Sequence, residues 1–292
     1  MSLFKGSGVA LITPFDEQLN INYDVLEQLI KFHIKNKTDA LVVCGTTAES
    51  ATLSLKEKKD LIKFVVEKTN HHIPVIAGTG SNNTQASIEL SIYAQSVGAN
   101  GLLVVSPYYN KPTQKGIIAH YEAIAKAVDI PIILYNVPGR TASNIEVDTV
   151  LKLAEIKNII GIKEASGDLE QIEKLCKLCP LDFDIYSGND DQTQTILKMG
   201  GKGVISVTAN IIPKDIHETS ILLKDDQYLK PLHDVMFIES NPVPVKAALN
   251  YLGFHVGKTR LPLVNLEDEH YQLLIQVLND FGLKEGLYEN FN

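Results

Sequence analysis

Short apolar runs alternate with longer amphipathic stretches through the first two thirds of this 292-residue chain, and that alternation restricts the fold more than any other feature. The runs cover residues 9–12, 40–43, 74–77, 101–105, 131–135, 159–163, 183–186 and 203–206. Each carries Val, Ile or Leu on both faces, as a parallel strand covered on both sides must. Between them lie helical patterns over 24–37, 55–68, 84–97, 114–128, 147–154, 169–178 and 192–199; the first places Val25, Leu26, Leu29, Ile30 and Ile34 on one face. Eight strand–helix units in about 200 residues fit an α/β fold of the (β/α)₈ TIM-barrel type, whose usual size is about 250 residues. A doubly wound open sheet would show the same periodicity. Beyond residue 210 only helical patterns follow, over 225–239, 243–252 and 266–281. The reading is a catalytic barrel over 1–210 and a C-terminal helical extension over 211–292 packed on it.

Composition narrows the function. The 27 basic residues against 35 acidic ones leave a formal charge of −8, which disfavours a nucleic-acid surface. No apolar run approaches the about 20 residues of a membrane helix, and the first residues lack the pattern of a secretion signal. Three cysteines make no disulfide framework, so a cytoplasmic protein is expected. Gly78-Thr79-Gly80 opens like a dinucleotide fingerprint, but Asn83 stands where its third glycine belongs. Cys176 and Cys179 have metal spacing without a second pair, and the eight histidines form no ligand motif, so no metal is expected.

In a barrel the chemistry lies at the C-terminal ends of the strands. Those ends read Gly45-Thr46-Thr47, Gly78-Thr79-Gly80, Ser106-Pro107-Tyr108-Tyr109, Tyr135-Asn136, Lys163-Glu164, Ser187-Gly188 and Ser206. Lys163 closes an apolar run, and alternation places it on one face with Gly161 and Ile159. If that face is the inner one, desolvation favours the neutral amine, the form that attacks a carbonyl. The plainer alternative is a strand-end cation paired with Glu164 or another acid. Tyr135 ends the preceding strand and would be its lateral neighbour, able to lend and take back a proton. Only two of the 27 basic residues are arginine. Arg140 lies just beyond a strand end, where its planar fork suits a carboxylate; a structural salt bridge is the competing reading. Arg260 reads as structural.

Together the segments GTTAES (45–50), PYYNKPTQ (107–114), YNVPGRT (135–141) and GIKEASGD (161–168) resemble the dihydrodipicolinate synthase family. GVALITPF, IYSGNDD, NPVPVKAAL and LPLV extend the resemblance over essentially the whole chain. It implies a barrel that forms a Schiff base between Lys163 and pyruvate, then joins the enamine to L-aspartate 4-semialdehyde, in the diaminopimelate route to lysine. It assigns proton transfer to Tyr135, with Thr46 and Tyr109 completing a hydroxyl relay and Tyr109 coming from a neighbouring subunit. Thr47 matches the pyruvate-carboxylate position, Gly188 and Ile205 line the same pocket, and Arg140 receives the semialdehyde carboxylate. No cofactor is implied beyond the covalent imine. A homo-oligomer is implied, with a dimer as the smallest active unit and a tetramer as the usual assembly. The alternatives are a pyruvate-dependent aldolase for a keto-deoxy sugar acid or N-acetylneuraminate, and a catalytically inert barrel kept as a binding subunit. Ala48 departs from the glycine common in GTTGE.

Some relatives carry a lysine feedback site. Ser50, Ala51, Asn82 and Tyr108 match it, but Leu55, Lys58 and Ala86 stand where sensitive members hold two histidines and a glutamate. Without that carboxylate, and with a like charge nearby, the amino groups of lysine lose their partner. Free lysine should therefore inhibit weakly or not at all, and inhibition at sub-millimolar lysine in a steady-state assay would refute this.

Overall fold

A computed structural model describes residues 2–224, 226–289 and 291. Eight parallel strands close into a barrel in sequence order: β1 (Gly6–Ala10), β2 (Ala40–Val43), β3 (Val75–Gly78), β4 (Gly101–Val105), β5 (Ile132–Asn136), β6 (Ile159–Glu164), β7 (Asp184–Ser187) and β8 (Gly203–Ser206). The barrel, not the open sheet, is the fold. Each strand is followed by helix, and the helices begin where short polar residues cap them. Asn22, Ser54, Asn83, Thr113 and Asp168 each accept a backbone N–H of the first turn. Ser54 and Glu57 form a reciprocal capping box.

Two apolar layers result. The larger core lies between strands and helices and includes Val9, Leu41, Leu102, Leu134 and Ile162. A smaller one fills the barrel: Ala10, Ala40, Val42, Ile76, Leu103, Ile133, Tyr135, Tyr186 and Ile205, with Phe4 beneath them. Phe4 stacks on Tyr186 with centroids 4.4 Å apart. The Tyr186 hydroxyl donates to Phe4 O at 2.8 Å and to Asp184 Oδ2 at 3.1 Å, while Ser2 Oγ donates to Asp184 Oδ1 at 2.7 Å. These contacts seal the floor. Phe4 also accounts for the glycine at position 8 of β1: a Cβ there would lie 2.9 Å from its ring.

Three local expectations are corrected. A register shift between Ile132 and Ile133 leaves Ile160 without a partner, so Ile159 turns to the outer core while Gly161 pairs with inward Ile133. Lys163 therefore shares its face with Gly161 but not with Ile159. A helix over Pro213–Leu222 packs against β1. Its pattern misleads because Thr219 and Ser220 are buried while Leu222 is exposed. The expected helix over 225–239 starts outside the described residues; the chain there forms a 3₁₀ turn, Gln227–Leu229, and then a short helix, Lys230–Val235, with Pro231 in its first turn. Helices Val243–Tyr251 and Asp268–Asp280 complete the chain. No helix among the described residues is long and apolar enough to cross a membrane.

Candidate active site

The barrel mouth is built by the loops after β2, β5, β6, β7 and β8 and roofed by residues 237–241. β5 and β6 pair Tyr135 with Lys163, and β6 and β7 pair Lys163 with Tyr186, so three inward residues sit abreast. Lys163 is 6% exposed, and its Nζ lies 4.4 Å from the centroid of the Tyr135 ring. Among the described residues no protein group holds the Tyr135 hydroxyl and no carboxylate pairs with Lys163.

Glu164 is next in sequence but points the other way. Its carboxylate accepts from Asn136 Nδ2 at 3.1 Å, from the Ser166 N–H at 2.8 Å and from Gln171 Nε2 at 3.1 Å. Burial pushes its carboxyl above the ordinary range, opposed by those donors. Asn136 in turn donates to Asn144 Oδ1 at 2.8 Å. The reading of Lys163 as the partner of Glu164 is thereby excluded.

The loop after β2 brings Thr46 and Thr47 to the cavity. Thr47 is buried, and its Oγ1 accepts from Asn241 Nδ2 at 2.9 Å. Arg140 stands at the rim on a single helical turn, Pro138–Thr141. Its guanidinium has no protein partner among the described residues, so the salt-bridge reading fails for it. Arg260, in contrast, grips Glu57 with Nη2–Oε1 at 2.6 Å and Nη1–Oε2 at 3.2 Å and lies over Phe15. That fork holds the Glu57 carboxyl down to about 2.

Gly188 supplies room. A Cβ there would stand 2.6 Å from Ala165 Cβ and 3.0 Å from Lys163 Cε. Two expected residues are not at the cavity of this chain. Ile205 is fully buried in the inner layer, and Val207 takes the lining position instead. Tyr109 is 89% exposed, with a left-handed backbone (φ 75°), on the loop beyond β4. Reading the strand ends did not bring in Asn189, Phe237 or Asn241, which also line the space. The segment NPVPVKAAL was the available signal, but nothing in its spacing places it over a loop some 190 residues earlier.

The space measures about 480 Å³ including its opening. Its lining contains Lys163 and Arg140, several hydroxyls and amides, and no carboxylate. In a chain of charge −8 this is a local positive site suited to small anions. No group of three or more His, Cys, Asp or Glu side chains able to hold a metal is present among the described residues.

Comparison with known proteins settles the kinship. The model of the dihydrodipicolinate synthetase family matches residues 3–280. The chain belongs to that family. It is 52% identical to the 4-hydroxy-tetrahydrodipicolinate synthase of Thermoanaerobacter sp. (strain X514), over 97% of this chain and 98% of that one. The crystal structure of dihydrodipicolinate synthase from Aquifex aeolicus superposes with a TM-score of 0.94 at 44% identity, covering 97% of this chain and 100% of that one. The chloride-inhibited enzyme of Acinetobacter baumannii, solved in complex with pyruvate, gives 0.92 at 43% identity, covering 96% and 99%.

In this family member Gly188 leaves slack beside the Lys163 stem that a methyl group would remove. Overpacking costs about 1–3 kcal/mol, and an ångström of misplacement costs about 100-fold in rate. Gly188→Ala should therefore slow reductive labelling of Lys163 by a small aldehyde and borohydride at least tenfold while the protein stays folded by circular dichroism.

Proposed function

We propose that this chain is a 4-hydroxy-tetrahydrodipicolinate synthase, a lyase that condenses pyruvate with L-aspartate 4-semialdehyde in the diaminopimelate route to lysine. The observation that carries the reading is a buried amine without an acidic partner, set beside a tyrosine in a cavity whose other charge is a free guanidinium. The family and its relatives, named for this activity, support it.

In this reading the neutral amine of Lys163 adds to the keto carbon of pyruvate, and the carbinolamine loses its oxygen as water to leave an imine. Loss of a methyl proton gives the enamine. Its carbon attacks the aldehyde of the semialdehyde, forming the C–C bond as the aldehyde oxygen gains a proton. The amine of the bound semialdehyde then attacks the imine carbon and displaces Lys163, closing the ring. Tyr135 moves the protons, with Thr46 and Tyr109 completing the relay. Thr47 receives the pyruvate carboxylate, with Gly188 and Val207 shaping that end of the site. Arg140 receives the carboxylate of the semialdehyde through its fork. The covalent imine takes the place of any cofactor.

Tyr109, exposed on its own chain, serves a second copy in this reading, so the working unit is at least a dimer, assembled into a tetramer. The cytoplasm is the proposed compartment, in keeping with three free cysteines. Weak lysine feedback is in keeping with exposed Leu55 and Ala86 and with a half-buried Lys58 that has no carboxylate partner among the described residues. A sugar-acid aldolase would share the amine and the tyrosine, but a polyhydroxylated chain asks for more hydroxyl and amide partners than for a bare guanidinium at the rim.

Borohydride reduction with pyruvate should place an adduct on Lys163 and none on the Lys163→Ala variant, read by peptide mass mapping. Arg140→Lys should raise the KM for the semialdehyde at least tenfold and leave trapping intact; loss of trapping would refute the division of roles. If Tyr109 acts across subunits, co-expressing Lys163→Ala with Tyr109→Phe should yield hybrids that regain activity absent from either variant alone. A tyrosine acting within its own chain predicts no recovery in that activity assay.

A further inference from the structure

Behind the threonine loop lies a buried ion pair that the chemistry above does not use. Glu49 and Lys246 meet at 2.9 Å, their side chains 0% and 2% exposed. The second carboxylate oxygen of Glu49 accepts the Arg260 N–H at 2.8 Å. Lys246 also donates to Lys258 O at 2.8 Å and lies over the Phe15 ring at 4.2 Å. Burial pushes Lys246 down and Glu49 opposes the shift. Exchanging such a pair for apolar residues is often neutral or stabilising, so stability alone is a weak reason for it.

Its position suggests another reason. The loop carrying Thr46 and Thr47 is bracketed by two left-handed residues that are not glycine, Cys44 (φ 58°) and Glu49 (φ 56°). Such backbone persists where the surroundings over-determine it. Two contacts fasten the loop to one helix start: Asn241, just before helix Val243–Tyr251, donates to Thr47 Oγ1, and Lys246, within that helix, holds Glu49. Because Thr47 Oγ1 already accepts a hydrogen bond, its own proton is left for the cavity.

We propose that Glu49 and Lys246 are positioning residues for keto-acid binding: their ion pair locks the left-handed turn and holds Thr47 against Asn241, so that its hydroxyl points at the carboxylate of pyruvate. This rests on the assignment of Thr47 and Lys163 made above. The test uses the full-length enzyme, pyruvate and borohydride, with adduct on Lys163 read against pyruvate concentration, beside the KM for the semialdehyde. Glu49→Gln keeps shape and removes charge, and the double variant Glu49→Gln with Lys246→Met leaves no unpaired buried charge. Both should raise half-saturating pyruvate at least fivefold and leave the semialdehyde KM within twofold, the double variant doing so even at a wild-type melting temperature. A smaller rise in any folded member of the set, or an equal rise for both substrates, overturns the proposal. Should the double variant not fold, the isosteric Glu49→Gln decides. An untrapped wild type would instead overturn the functional reading itself.

Discussion

A buried amine stays available for carbonyl chemistry only when no acid reaches it, and the arrangement around Lys163 is organised by that condition. The nearest carboxylate in sequence belongs to Glu164, one residue on, and strand alternation sends it to the opposite face. There a set of amide donors from Asn136, Gln171 and the Ser166 backbone satisfies it. Removing those donors would leave a desolvated carboxylate looking for a cation. The amide network thus protects the lysine indirectly, by keeping its sequence neighbour occupied.

The second condition is space. Phe4 and Tyr186 stack and fill the floor of the barrel, while a few small residues among the larger ones at the mouth keep a cavity open above them. Ala10, Val42 and Gly188 leave open volume beside the amine. The loops above can then carry polar groups without disturbing the core, as in barrels generally.

Much of this was legible in the chain. Apolar runs with no polar face located the eight strands to within a few residues, because a strand covered on both sides has no alternative composition. Lys163 stood out by ending such a run, and Arg140 by being one of two arginines in a lysine-rich chain. The rest was hidden for definite reasons. The bulge at Ile160 depends on a register shift between two strands that no single-strand pattern encodes. Helix Pro213–Leu222 buries Thr219 and Ser220 and exposes Leu222, which inverts the usual hydropathy signal. Asn241 reaches Thr47 across 194 positions of sequence, a contact set by tertiary packing alone. Tyr109 is conspicuous by its type, yet in its own chain it stands on an exposed loop away from the cavity, and no pattern in a single chain shows what such a side chain meets.

The plugged floor has a kinetic corollary. With Phe4, Tyr186 and Asp184 stopping the lower end, everything enters and leaves by one door. If, as proposed, the keto acid sits beside Lys163 and the semialdehyde near Arg140 at the rim, the first must arrive before the second, and the finished ring must depart before the next keto acid can descend. On that assignment a single opening imposes a queue, in which excess of the second reactant blocks the first.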